Sequence, residues 1–215
     1  MQHPTVHTIA ATYWIQQSST ESDQIICLKP DDINHSVIVL NVPNKWSLSK
    51  PFVVLIHGLT GSAESNYMTR LSRKLLQLGV ATLRVNLRNC GKGFGLSSTI
   101  THAGSHEEIH HALTWIESNY PNSPYSVIGF SLGGCIAMKA ALHSKFSHWK
   151  SLITVSTPLD LLPSAKNMSP IFNKYFTTAL IENAKKLHPL IHQYPPPSFD
   201  HIPVSYTHLT LPTKR

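Results

Sequence analysis

Apolar and polar positions change their period near residue 50 of the chain. Before it, Ile25-Ile26-Cys27-Leu28 and Val37-Ile38-Val39-Leu40 are short apolar runs separated by Pro30-Asp31-Asp32, a pattern of two strands joined by a turn. That predicts an antiparallel start. From residue 52 continuous apolar runs alternate with helix-length segments, the pattern of a mostly parallel sheet with helices on both faces, because a strand covered on both sides has no polar face to show. The buried strands are expected at 52–56, 81–85, 125–128 and 152–155.

The segments between them carry helical spacing. Met68, Leu71, Leu75 and Leu78 step by three and four along one face, Arg70, Arg73 and Lys74 lie off it, and Gly79 closes the end. A second helix starts at Ser105-x-x-Glu108, the spacing of a capping box, and turns Ile109, Ala112, Leu113 and Ile116 inward. A third begins directly after Ser131 and is rich in small residues (Gly133, Gly134, Ala137, Ala140, Ala141), which lets a helix lie close against a sheet. A fourth, 170–187, starts with proline and carries Phe172, Tyr175, Phe176, Leu180 and Leu187, as either a sheet-covering helix or part of a lid. Pro195-Pro196-Pro197 then breaks regular structure, and no internal repeat is visible.

Composition narrows the class. With 215 residues, 41% hydrophobic and only 13% charged, the chain has enough apolar material for a single core and lacks the charge excess of a disordered segment. No run approaches the roughly 18 apolar residues of a membrane span, and Met1-Gln2-His3-Pro4 lacks the start of a signal peptide, so a cytoplasmic location is expected. Cys27, Cys90 and Cys135 have no C-x-x-C spacing and read as free thiols. The net charge of +7 is spread along the chain with no basic segment interleaved with aromatics, which argues against a nucleic-acid partner.

The candidate chemistry sits at Gly129-Phe130-Ser131-Leu132-Gly133. G-x-S-x-G alone would arise by chance in roughly one chain in fifteen of this length. Here it falls between an apolar strand and a helix, where a sharp turn strains the serine and glycines on both sides relieve crowding. Ser131 is therefore the candidate catalytic nucleophile, with Gly129 and Gly133 supporting its turn. An acyl-transfer site also needs oxyanion donors: the backbone N–H of Leu132, and one from the loop after strand 52–56, His57-Gly58-Leu59-Thr60-Gly61, where Leu59 is the natural second donor. A rival motif, His106-Glu107-Glu108-Ile109-His110, matches H-E-x-x-H, which places two histidines as zinc ligands with a glutamate base. No third histidine follows at metzincin spacing and Leu113 stands where a glycine belongs, so no metal site is assigned.

Together His57-Gly58-Leu59-Thr60-Gly61-Ser62, Ser65-Asn66-Tyr67, Asn86-Leu87-Arg88-Asn89-Cys90-Gly91, His102-Ala103-Gly104 and Gly129-Phe130-Ser131-Leu132-Gly133-Gly134 resemble the YheT-like branch of the α/β-hydrolases, a group of predicted carboxylesterases. The resemblance runs from about residue 50 to about residue 165. It departs at Asn89, where relatives usually carry glycine; asparagine tolerates left-handed angles, so the turn is expected to survive. The resemblance implies an α/β-hydrolase fold and a serine esterase acting through an acyl-enzyme on a small-molecule, lipid-like or short-acyl ester, without a cofactor. It makes His57, with Gly58, a support of the oxyanion loop rather than the base, and gives His102 a structural role. It leaves Asp160, after strand 152–155, as a weak candidate for the triad acid. The alternatives are an α/β-hydrolase-fold protein that binds a ligand without cleaving it, and a zinc metalloprotease through His106, Glu107 and His110.

The resemblance fades after residue 203. Residues 204–215 look like the translation of a sequencing-library adapter, so 1–203 is expected to be a partial hydrolase domain lacking its last strands and 204–215 a non-native tail. Residues 166–203 would hold the lid or sheet-covering helix and the proline-rich segment. Such a fragment is expected to be inactive, with strand 152–155 an exposed apolar edge.

Overall fold

Alternation in the first two strands gives the antiparallel start. β1 (Gln24–Leu28) pairs antiparallel with β2 (Ser36–Asn41), Ile26 opposite Ile38. The structure, a computed structural model, describes residues 23–30, 34–44, 46–47 and 49–191. The proline-rich stretch and the expected tail lie outside the described residues.

β2 also pairs antiparallel with β4 (Ala81–Asn86), and from there β3 (Phe52–Ile56), β5 (Tyr125–Phe130) and β6 (Trp149–Val155) run parallel, in the order β1-β2-β4-β3-β5-β6. Register places Leu40, Leu83, Val54, Val127 and Leu152 in one row across five strands. On that face Ile109, Ala112, Leu113 and Ile116 of α2 (Glu107–Asn119) and Ile136, Ala137 and Ala140 of α3 (Leu132–Leu142) close the apolar core, as their spacing predicts.

The other face is not the continuous apolar surface expected of a doubly covered strand. Thr82, Arg84 and Asn86 of β4 point toward α1 (Asn66–Gln77) and are buried. Arg84 is 1% exposed; it pairs with Asp23 at 2.7 Å and donates to the Ala63 carbonyl at 2.8 Å and to Asn41 Oδ1 at 3.1 Å. Ser72 of α1 bonds both Asn41 and Thr82. Helix α1 accordingly turns Met68, Thr69 and Ser72 inward and leaves Leu78 77% exposed, so its buried face is rotated from the one its leucines predict. Gly79 does end it: with φ +77° it brings its N–H to Leu76 O and the Val80 N–H to Leu75 O, a Schellman closure.

One further expectation is corrected and another is met. The capping box at Ser105 does not form, because the Ser105 hydroxyl accepts the His102 N–H while Glu108 turns inward to pair with Arg88. Strand β6, read as one of the buried strands but expected in a partial domain to be an exposed apolar edge, is that edge: Ile153 and Val155 are exposed and only β5 pairs with it among the described residues. Beyond it come a short α4 (Leu161–Lys166) and the long α5 (Pro170–Ile191), which extends the predicted fourth helix by about a turn. The sheet with its helices is the mostly parallel arrangement that the alternation of strands and helices predicted, and the fold that the family resemblance implied. Among the described residues no helix is long and apolar enough to cross a membrane.

Candidate active site

Ser131 stands exposed where β5 turns into α3, with φ +50° and ψ −121°, a left-handed strain that a non-glycine residue adopts only where its surroundings impose it. Its N–H donates to the Val155 carbonyl at 2.8 Å and its own carbonyl accepts from Gly134 at 2.9 Å. The glycines are required by contact: a Cβ on Gly129 would meet Gly133 O at 2.6 Å, and one on Gly133 would meet His57 O at 2.3 Å. The helix after the serine is thus pressed onto the loop after β3.

That loop lies against the serine. A Cβ on Gly58 would stand 3.1 Å from Ser131 Cβ and 3.8 Å from Ser131 Oγ. The Gly58 carbonyl accepts from Gly61 N–H at 3.1 Å and lies 2.8 Å from His57 Nδ1. Because a trans peptide points its C=O and N–H in opposite directions, this carbonyl fixes the Leu59 N–H away from His57. Among the described residues neither the Leu59 nor the Leu132 N–H is bonded to a protein acceptor.

His57 is fully buried. Its Nε2 accepts the Leu87 N–H at 3.1 Å, so Nδ1 carries the proton and donates to Gly58 O. Burial lowers its pKa to about 4, so it is neutral and both nitrogens are engaged within the loops. Tyr67, quoted in the sequence only as part of a motif, stands at the start of α1 and takes the Gly58 N–H on its phenol oxygen at 3.0 Å, with its ring 4.9 Å from that of Phe130. No sequence period marks where such a hydroxyl will land.

A cleft of about 650 Å³, its open mouth included, runs from this loop past Leu132 to loop 87–90, and Leu180, Asn183, Ala184 and Leu187 of α5 line its far side. Asn89, the departure from the family pattern, has φ +54° and holds the loop beside the cleft: its amide donates to Ser97 O and Thr99 O and accepts from Gly95 N–H. Arg88 is engaged by Thr99, Glu107 and Glu108, which makes it a strut onto α2 rather than an open anion site. Cys90 also lines the cleft, its thiol pushed up to about 12 by burial and therefore not a thiolate.

The remaining candidates are bonded to other partners. Asp160 is exposed and caps α4, accepting the Leu162 N–H at 3.1 Å. His102 accepts the Gly104 N–H at 3.0 Å in the loop before α2. His106 and His110 have ring centres 4.9 Å apart and face α3, with His110 Nε2 3.2 Å from Ala140 O, and among the described residues no three metal-binding side chains converge. No described histidine is bonded to Ser131 Oγ.

The exposed serine thus stands on a strained strand-to-helix turn, with a glycine loop beside it, where β3 and β5 of a mostly parallel sheet end. Residues 51–189 match the family of the alpha/beta hydrolase fold, more than half of the chain, and the protein belongs to that family. It is 27% identical over 142 residues to YheT of Escherichia coli, which bears an esterase name, covering 64% of this chain and 42% of that one. It is 24% identical over 143 residues to the monoacylglycerol lipase of Saccharomyces cerevisiae, covering 65% and 32%. The chain thus spans about a third to two fifths of the length of these curated relatives. The match to YheT agrees with the branch resemblance in the sequence. Solved structures share the fold: an esterase of Pyrococcus furiosus (TM-score 0.57, 21% identity, 73% of this chain and 62% of that one) and a lidless α/β serine hydrolase of Xanthomonas campestris (TM-score 0.55, 19%, 66% and 65%).

Proposed function

We propose that the protein is a serine hydrolase that cleaves carboxylic esters of small lipid-like molecules through an acyl-enzyme on Ser131. The observation that carries this reading is Ser131 itself, exposed at φ +50° with Gly58 of the facing loop against its Cβ. Its Oγ attacks the acyl carbon, the negative charge that develops on the carbonyl oxygen is taken by the Leu59 and Leu132 N–H groups, the alcohol leaves, and water releases the acid. His57 and Gly58 support the loop that aims Leu59. The first turn of α3 adds a favourable field for that charge, because its N–H groups point at the site. The reaction needs a base within reach of Ser131 Oγ, so it is tested on the full-length protein. Leu132, Leu180 and Leu187 give the cleft an apolar lining suited to an acyl chain, and α5 serves as its lid.

Ser131→Ala is expected to lower ester turnover on the order of 10³- to 10⁶-fold while the protein stays folded, and a fluorophosphonate should label Ser131. Turnover that survives the substitution, or labelling at another serine, refutes the assignment. A protein that only binds its ligand would return an ester unchanged and show no acyl-enzyme by mass spectrometry.

A further inference from the structure

Tyr67 joins the two halves of the site. Its phenol oxygen accepts the Gly58 N–H at 3.0 Å on the loop that carries Leu59, and its ring rests 4.9 Å from Phe130, the residue before Ser131. It is itself held firmly, because the next residue, Met68, is fully buried and α1 is tied to the sheet through Ser72. The residue is 40% exposed, while desolvation of its hydroxyl end raises its pKa above that of an ordinary phenol, so it stays protonated at neutral pH.

The Gly58 peptide has one soft joint. Its carbonyl is held by His57 Nδ1–H and Gly61 N–H, but the residue is glycine, whose backbone rotates more freely than any other. A Cβ there would stand 3.1 Å from Ser131 Cβ and 3.2 Å from Phe130 O, so a bulkier, stiffer residue would crowd the serine. The bond from Gly58 N–H to Tyr67 restrains the rotation that glycine leaves free. We propose that Tyr67 is a positioning residue: by holding the Gly58 N–H while its ring rests on Phe130, it sets the Leu59 N–H against Ser131 before substrate arrives.

This inference rests on the serine-hydrolase reading, and the test separates the two. Wild-type, Tyr67→Phe and Ser131→Ala forms of the full-length protein are compared on one ester. Phenylalanine keeps the ring and removes only the oxygen, so the variant should fold as the wild type does. Loss of a direct oxyanion donor costs about 10²- to 10³-fold, and a group acting through one should cost roughly 10- to 100-fold in kcat, with KM little changed. Affinity for an arylboronic acid, whose tetrahedral adduct imitates the attacked carbonyl, should fall by a similar factor. A Tyr67→Phe kcat within about twofold of wild type beside an inactive Ser131→Ala overturns the role of Tyr67 alone. A loss confined to KM does the same, because it marks ordinary substrate contact. Full turnover by Ser131→Ala overturns the hydrolase reading and this inference with it. Independently of any variant, the Gly58 amide should exchange its hydrogen slowly, and exchange at the rate of an open loop refutes the bond.

Discussion

Replacing Gly133 by alanine should cost substantial stability, because the added methyl meets backbone that cannot turn aside. The added Cβ would stand 2.3 Å from His57 O, 2.7 Å from Ile56 O and 3.0 Å from His57 C, all backbone atoms of β3 and the loop after it, so no rotamer change can make room. Ordinary contact begins near 3.4 Å, which requires α3 to retreat from the sheet by about 1 Å. Overpacking of this kind costs about 3 kcal/mol, the upper part of its usual range. For a domain of this size that lowers the unfolding midpoint by roughly 6–12 °C. Two other glycines isolate the cause. Gly79 has φ +77° and nothing within 4 Å of its Cβ position, so Gly79→Ala bears only left-handed strain, about 1 kcal/mol. At Gly93 the nearest atom is Val37 Cγ2 at 3.7 Å, an ordinary contact, and Gly93→Ala should fall within about 0.5 kcal/mol of wild type. Thermal or urea unfolding of the three variants should rank them Gly133, Gly79, Gly93. A Gly133→Ala protein within about 0.5 kcal/mol of wild type, or a Gly93→Ala protein as damaged as Gly133→Ala, would refute the contact argument.

Stability should also depend on pH through His57. Its folded pKa is about 4 against 6.5 ordinarily, so below pH 6.5 the unfolded chain binds a proton that the folded chain refuses. The contribution is present above pH 6.5, is lost as pH falls toward 4, and amounts to something on the order of 3 kcal/mol. His57→Gln should unfold with a flatter profile across that window, and an equal slope refutes the assignment. Asn89→Ala should cost about 2–4 kcal/mol in urea unfolding, since it strips partners from loop 95–99 and keeps a strained backbone, whereas Asn89→Gly, free of that strain, should be about 1 kcal/mol less damaging. Equal losses for the two would show that φ +54° carries no strain.

The elbow was legible because its chemistry is local: glycines at two fixed offsets from Ser131 are demanded by contacts of 2.6 Å and 2.3 Å, and a strand precedes the turn. The strands were legible for a similar reason, since β3 is apolar along its length and β4 and β5 keep apolar residues on the face that meets the core. What the pattern missed depends on partners far along the chain. Helix α1 turns Thr69 and Ser72 inward because the facing strand carries Arg84 and Thr82, and a polar interior reverses the usual meaning of a leucine stripe. Glu108 fits a capping box in spacing, yet Arg88 on another loop takes its carboxylate. Tyr67 falls outside any period; only the arrival of α1 beside the β3 loop gives its hydroxyl a partner.

The Asp23–Arg84 pair has a consequence for how the protein opens. Terminal edge strands usually fray first, because their few contacts can be lost without disturbing the interior. Here the residue just before β1 neutralises a guanidinium in the middle of β4, so peeling β1 away strands a buried cation. Leaving such a charge unpaired costs about 3–5 kcal/mol, comparable with opening a sizeable part of a marginally stable domain. The first strand is therefore coupled to the sheet centre in one cooperative unit, and a protease acting near residue 23 should find that bond exposed only when much of the fold opens with it.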